Sequence, residues 1–250
     1  MNNNIAIAFD FAGVLDVQDS FKICDSNLNE RVMKQTDPVK AYKLLNLIYK
    51  YQLKFFCIST LEKYGANVVT ALIRSMRNSD DENISIFAEE FRKPFARKNQ
   101  LRGSSNWNTK NSSIAERIQS HNLSAVVTIE DDEHIDSEYN PVMVYSRNGL
   151  DDMHLAKVED KIIKLILGMD YISPEEKWNS EADQYNQWRE LDLSERTTLF
   201  DSMIDSLDSK IQCISEEETN SNPPHLVALK TLKQRLASER NEILNTEDAV

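Results

Sequence analysis

The chain has 250 residues, of which 41 are acidic and 29 are basic, and its formal net charge is −12. A chain this acidic is repelled by nucleic acid and by anionic membranes unless its basic residues are grouped locally. With five glycines and six prolines, the composition excludes collagen-like and Gly/Pro-rich disordered chains, and it contains no glycine-rich phosphate loop. Three cysteines without CxxC spacing, and no apolar run of membrane length, predict a cytoplasmic protein with neither a disulfide framework nor a membrane span.

Short apolar runs that alternate with helical patterns predict an α/β domain with a parallel sheet. Runs that are apolar at nearly every position suit strands buried on both faces, as in a sheet that helices cover from either side. We expect strands at Ile5–Phe9, Leu53–Ile58, Ile84–Ala88, Ala125–Ile129 and Val142–Tyr145. Residues 1–168 are therefore predicted to form a three-layer α/β/α, Rossmann-like domain.

Helices are predicted between these strands from their caps and their apolar spacing. Asp37-Pro38 is typical of an N-cap followed by a first-turn proline. Ser113 and Glu116 have the spacing of a capping box and predict a helix that ends near His121. Apolar residues at helical spacing predict two more helices, over 68–76 and over 158–166.

The pattern changes after residue 168, where strand candidates cease. Apolar residues at helical spacing predict one helix along Leu199–Ile211 and another along Leu229–Ile243, separated by Asn222-Pro223-Pro224. We therefore predict that residues 169–250 form a C-terminal helical extension. Its apolar stripes would contact the α/β domain, a protein partner or a second copy of the chain.

Polar residues follow three of the predicted strands, at the point where each strand ends. These residues are Asp10, Ser59-Thr60 and Glu130-Asp131-Asp132. In open parallel sheets, ligands bind at the carboxyl ends of the strands. The sequence therefore predicts a functional site that is built from these three segments.

The segment Asp10–Leu15, placed directly after an apolar strand, resembles the first motif of the haloacid dehalogenase superfamily. Thr60, or its neighbour Ser59, stands where that family has a phosphate-binding hydroxyl. Lys110 stands where the family has its charge-neutralising lysine, and Glu130–Asp132 resembles its acidic magnesium motif. The resemblance covers roughly residues 5–166.

The resemblance implies a Mg²⁺-dependent phosphohydrolase without a large cap domain. Asp10 would be the nucleophile, forming an aspartyl-phosphate, and also a metal ligand together with the main-chain carbonyl of Ala12. Asp131 or Glu130 would be the third protein ligand, because the register of the acidic triplet stays open. Lys110 would neutralise charge on the phosphoryl oxygens.

Two further features bear on the substrate. Lys93-Pro94 also resembles the segment that carries the motif lysine, and Lys93 and Arg97 lie in a basic run that is either a solvated face or a substrate-binding groove. Gly149-Leu150-Asp151-Asp152 is similar to a feature of compact phosphatase domains associated with RNA-repair enzymes. The expected substrate is thus a phosphorylated small molecule or a phosphorylated nucleic-acid end.

Ala12 departs from the family pattern, which has a second Asp there as general acid and base. Loss of general acid catalysis typically lowers a rate by about 10²–10⁴-fold. Dehalogenases and phosphonoacetaldehyde hydrolases also lack this Asp, but they carry a helical cap, for which the segment between Leu15 and Pro38 leaves little room. The alternative prediction is a catalytically weakened member of the family that serves as an interaction or scaffold subunit.

Overall fold

The structure is a computed structural model that describes residues 4–16, 27–103, 107–131, 134–144, 149–168, 188, 190–217 and 224–247. The chain divides into two compact units, Met1–Ile162 and Ile163–Val250. Among the described residues, no helix combines the length and the apolar character that crossing a membrane requires.

The first unit is built on an open sheet of four parallel strands in the order β2-β1-β3-β4. The strands are β1 (Ile5–Phe9), β2 (Lys54–Cys57), β3 (Ala125–Glu130) and β4 (Pro141–Met143). Every residue of β1 is buried, so both faces of this central strand are covered. These observations confirm the predicted α/β class and the parallel sheet, although Tyr145, at the end of the fifth predicted strand, lies outside the described residues.

Helices and short helical turns connect the strands. The bounds before β3 are α1 (Leu28–Gln35), α2 (Pro38–Lys50), α3 (Thr60–Lys63), α4 (Val68–Arg77), α5 (Glu82–Glu90), a segment kinked at Lys93 (Phe91–Ala96), α6 (Arg97–Asn99) and α7 (Lys110–His121). After β3 come a 3-10 turn (Ser137–Tyr139) and α8 (Asp152–Leu167). Asp37 caps α2 and Pro38 lies in its first turn, as predicted.

The strand predicted at Ile84–Ala88 is wrong, because this segment forms most of α5. Asp81 caps the helix by accepting a hydrogen bond from the amide of Asn83. Ile84, Phe87 and Ala88 are buried, and this spacing of three and four residues places them on one helical face. So short an apolar run fits either the alternation of a strand or the spacing of a helical face, and the structure adopts the helix.

The predicted start of the next helix is also wrong, because α7 begins at Lys110 rather than at Ser113. Thr109 is the N-cap, and its side chain forms a capping box with Ser112. Ser113 is buried within the helix, on the same stripe as Lys110, Ile114 and Arg117. Because α7 begins at Lys110, the side chain of Lys110 belongs to the buried stripe of the helix.

The stripe of α7 packs on one face of the sheet. Ile114 joins an apolar cluster with alternate residues of the strands, among them Ala6, Ala8, Phe56 and Val126. This contact holds the first turn of α7 close to the sheet.

The second unit contains two long helices, α9 (Leu193–Glu217) and α10 (Pro224–Glu247), which pack against each other. Asp208 pairs with Lys233 at 2.5 Å, and Asp201 pairs with Arg240 at 2.6 Å, so the two helices run antiparallel. Phe200 and Leu207 of α9, and Leu229, Leu232 and Leu236 of α10, are buried. The two predicted C-terminal helices are therefore present, whereas the domain boundary at residue 168 stays a prediction.

Candidate functional site

Three carboxylates meet at the carboxyl edge of the sheet. Asp10 follows β1, Glu130 ends β3, and Asp131 is the next residue. β1 and β3 are neighbours, and the amide of Asp10 donates to the carbonyl of Ile129 at 3.0 Å, so the two strand ends are side by side. One carboxylate oxygen from each of the three residues lies within 4.8 Å of the others.

Lys110 joins two of these carboxylates inside the protein. Its Nζ lies 2.8 Å from Asp10 Oδ2 and 2.6 Å from Glu130 Oε1, and all three side chains are at most 7% exposed. Burial by itself lowers the pKa of Lys110, but the charges and hydrogen bonds of Asp10 and Glu130 outweigh that effect and raise the pKa well above its ordinary value. Lys110 therefore stays a cation and offsets part of the negative charge of the cluster.

The chain after Asp10 forms a tight turn that its own hydrogen bonds hold. The amide of Phe11 donates to Asp10 Oδ1 at 2.7 Å, and the amide of Gly13 donates to Asp16 Oδ1 at 2.9 Å. Ala12, which lies between them, is exposed. The position at which the resembled family carries its general acid is therefore open and carries only a methyl group.

Gly13 and Asp131 are in direct contact. The φ of Gly13 is +70°, a left-handed conformation that favours glycine, and a Cβ built there would lie 1.8 Å from Asp131 Oδ2. Glycine is therefore required both for the backbone conformation of the turn and for the space that the Asp131 carboxylate occupies.

Ser59 and Thr60 lie at the end of β2, on the other side of β1. The amide of Ile58 donates to the carbonyl of Phe9 at 2.9 Å, which aligns this strand end with Asp10. Ser59 is buried and caps α3 by accepting from the amide of Leu61, whereas Thr60 is exposed in the first turn. Both hydroxyl residues thus lie at the same sheet edge as the carboxylates.

Lys93 and Arg97 are exposed, and the structure does not bring them to the carboxylates. The neighbouring Phe95 packs on Tyr49, with ring centroids 5.0 Å apart, near the end of α2. Since α2 starts beside Leu15 and runs back to the beginning of β2, this contact lies towards the opposite edge of the sheet. Of the two candidate lysines, it is Lys110 that contacts Asp10.

A second group of polar residues, which the sequence did not predict, lies beside β2. Burial raises the pKa of Glu62 to about 7, although the amide of Val68 and the charge of Arg117 oppose the shift. Arg117 is buried, and its guanidinium lies 4.8 Å from the ring centroid of Phe56. Burial lowers the pKa of Arg117, and the charges of Glu116 and Glu62 act against this. Nothing in the local pattern of α3 marks Glu62 as half-buried.

The segment before α8 meets the turn after β1, a contact that the sequence also did not predict. The amide of Leu150 donates to the carbonyl of Val14 at 2.9 Å, and a Cβ on Gly149 would lie 2.7 Å from that carbonyl. In the first turn of α8, His154 Nδ1 lies 2.6 Å from Asp151 Oδ1. A histidine three residues after an aspartate was the available signal.

The cluster of three carboxylates suits a hard divalent cation such as Mg²⁺, which prefers oxygen ligands. Lys110 compensates part of its charge, and the contact of Asp131 with Gly13 places that carboxylate against the turn that carries the Ala12 carbonyl. Asp10, Asp131 and Glu130 are thus the side chains that could hold such an ion. Asp132 lies outside the described residues.

Comparison with protein-family models, with curated proteins and with solved structures found no match to this chain.

Proposed function

We propose that the protein is a Mg²⁺-dependent phosphohydrolase of the haloacid dehalogenase type that acts through an aspartyl-phosphate on Asp10. The observation that carries the proposal is the convergence of Asp10, Lys110, Glu130 and Asp131 at the carboxyl edge of the sheet. A nucleophilic carboxylate, a buried cation and further acidic oxygens are the groups that this reaction requires.

Each side chain has a role that its contacts support. The amide of Phe11 and the ammonium group of Lys110 hold the two Asp10 oxygens in a fixed orientation, which favours attack on phosphorus from one direction. Lys110 would also lie near the transferred group and offset the charge on its oxygens. A bound Mg²⁺ would supply further charge neutralisation at the phosphoryl oxygens.

Of the two hydroxyl residues at the end of β2, Thr60 would bind the phosphoryl oxygens. Thr60 is exposed at the sheet edge, where its hydroxyl is accessible, while buried Ser59 shapes the start of α3. The expected substrates remain a phosphorylated small molecule or a phosphorylated nucleic-acid end. Lys93 and Arg97 are exposed away from the carboxylates, so they would not contact the reacting phosphoryl group.

A scaffold function is the second candidate, and Ala12 is the observation that favours it. The antiparallel pair of α9 and α10 would then provide a surface for a protein partner or a second copy of the chain. Against this, a buried acidic cluster is held together at the expense of like-charge repulsion, which is relieved when an ion binds.

Hydrolysis of dinitrophenyl phosphate, acetyl phosphate and end-phosphorylated oligonucleotides, measured with Mg²⁺ and with EDTA, tests the proposal. We expect Mg²⁺-dependent phosphate release that Asp10→Asn abolishes. Asp136→Asn is the matched control, because the Asp136 side chain is 51% exposed and outside the cluster. A folded wild-type protein that releases no phosphate from any of these substrates would leave the scaffold function as the better explanation.

A further inference from the structure

In the proposed reaction, the leaving oxygen needs a proton that Ala12 cannot supply. His134, in the segment after β3, has a side chain that is 88% exposed and lies 3.8 Å from Asp136. Glu130 is engaged by Lys110 inside the protein. A proton donor from another element would have to contact the turn around Ala12.

The start of α8 makes that contact. The amide of Leu150 donates to the Val14 carbonyl, and the Cα of Gly149 is packed against the carbonyls of Gly13 and Val14. Gly149 has a φ of +67°, so glycine is required here for the backbone as well as for space. The first turn of α8 is thereby anchored to the residues that directly follow Ala12.

His154 lies in this first turn, on the buried side of α8. It is 8% exposed, and it shares its helical face with the buried residues Leu150, Val158 and Ile162. Side chains in a helix tilt towards its N-terminus, which here is the end of α8 that is anchored to Val14. The contact with Asp151 Oδ1, at 2.6 Å, holds the ring in that direction.

The pairing with Asp151 also determines which ring nitrogen is available. The amide and the side chain of His154 both engage Asp151 Oδ1, and the amide contact is the largest cause of the lowered pKa of Asp151. An ionised carboxylate only accepts, so Nδ1 donates and Nε2 is left to exchange a proton. The ring has no other hydrogen-bond partner among the residues that the structure describes.

We propose that His154, oriented by Asp151, is the general acid and base of this site and replaces the group that is missing at Ala12. This assignment rests on the proposed phosphohydrolase function. His154 would be a catalytic residue that contacts the leaving oxygen, and Asp151 would be a positioning residue.

Bonds and protons balance over two steps. In the first, an Asp10 oxygen attacks phosphorus, the bond from phosphorus to the leaving oxygen breaks, and that oxygen takes the proton from His154 Nε2. In the second, neutral His154 Nε2 takes a proton from water as the water oxygen attacks phosphorus. The bond to Asp10 then breaks, which restores the carboxylate, releases phosphate and leaves His154 protonated again.

A series of dinitrophenyl, nitrophenyl and phenyl phosphates tests the assignment, because the leaving oxygen becomes more basic along the series while the ring stays similar. For His154→Gln we expect kcat/KM to fall by about 10²–10⁴-fold with phenyl phosphate and to change little with dinitrophenyl phosphate. A burst of dinitrophenol should also appear, since the second step loses its base and becomes rate-limiting.

Two variants separate catalysis from folding. His154→Gln keeps the backbone amide that bonds to Asp151, and His134→Ala is the matched histidine control, expected to leave the whole series unchanged. Asp151→Asn should show the same dependence on the leaving group with a smaller loss. Ala12→Asp added to His154→Gln should recover turnover of phenyl phosphate, whereas a variant that is merely misfolded would not recover.

If His154→Gln lowered kcat/KM equally across the series, or not at all with phenyl phosphate, the role of His154 would be overturned. Wild-type turnover would still uphold the phosphohydrolase. Absence of wild-type turnover even with dinitrophenyl phosphate and Mg²⁺ would instead overturn the phosphohydrolase, and with it this assignment.

Discussion

The Asp131 carboxylate lies against the Cα of Gly13, so closely that any larger residue at position 13 would collide with Oδ2. The contact joins two of the strand ends that form the site: the turn after β1 and the acidic end of β3. The position of Asp131, a candidate metal ligand, therefore depends on the absence of a side chain at Gly13 in the turn after β1.

Gly13→Ala should weaken Mg²⁺ binding and lower the free energy of unfolding. The left-handed φ disfavours alanine by about 1–2 kcal/mol, and the clash displaces Asp131 in addition. Chemical denaturation and the Mg²⁺-induced shift in Tm measure the two effects. Gly168→Ala is the control, since Gly168 has a φ of +89° with nothing within 4 Å of its Cβ position. It should lose stability but keep the response to Mg²⁺, and an equal loss of response in both variants would contradict the contact.

Asp131→Asn should raise the Tm of the metal-free protein and remove most of the shift that Mg²⁺ produces. The first effect follows because one of three neighbouring negative charges is removed, and the second because a ligand is lost. For the wild type, Mg²⁺ at roughly 100 times its Kd should stabilise the fold by about 2.7 kcal/mol. Differential scanning fluorimetry with and without Mg²⁺ measures both effects. A wild-type Tm that does not respond to Mg²⁺ would argue against a metal site.

Lys110→Met should destabilise the protein by about 3–5 kcal/mol, because it leaves two buried carboxylates without their shared cation. Added Mg²⁺ should recover part of the loss. The comparison is Lys43→Met, which breaks an ion pair with Asp152 whose side chains are 40% and 79% exposed and should alter stability by less than about 1 kcal/mol. Urea denaturation measures the free energy of unfolding of the two variants. Similar small decreases in both would mean that Lys110 does not compensate the charge of the cluster.

Glu62→Gln should stabilise the protein at neutral and alkaline pH but not in acid. The pKa of Glu62 rises from an ordinary value of 4.5 to about 7 in the folded state because burial disfavours the charged form. At pH values below the unfolded-state pKa, Glu62 is protonated in both the folded and the unfolded state, so the folded state loses no stability. As the pH rises from 4.5 to 7, the unfolded state ionises first, and folding loses on the order of 3 kcal/mol at most.

Denaturation of wild type and Glu62→Gln at about pH 4 and about pH 8 measures this difference. The amide side chain of the variant keeps an oxygen that can accept the hydrogen bond from the Val68 amide, so the contact at 3.2 Å need not be lost. Glu89→Gln, with a side chain that is 50% exposed, is the matched control and should change stability by less than about 1 kcal/mol. If Glu62→Gln changed stability relative to wild type by the same amount at both pH values, the raised pKa would be contradicted.

Local patterns predicted those parts of the fold that depend on neighbours in sequence. The runs Ile5–Phe9 and Ala125–Ile129 are apolar at nearly every position because both faces of a parallel strand are buried, and they form strands as expected. Asp37-Pro38 starts α2 because capping needs only the next two amides. The run Ile84–Ala88 fits either a strand or a helical face. Its helical conformation depends on tertiary contacts, which a short run of sequence does not reveal.

The sequence by itself placed acidic and hydroxyl residues at the ends of strands, and parallel strands bring such ends to one edge, so Asp10, Ser59 and Glu130 could be grouped in advance. The tertiary structure decided that Lys110 rather than Lys93 contacts Asp10, a pair 100 residues apart. It also decided that Gly149 closes on the turn at Gly13 and that His154 is buried in the first turn of α8. These contacts depend on how whole helices pack on the sheet, and the free energy of that packing is distributed over side chains far apart in sequence.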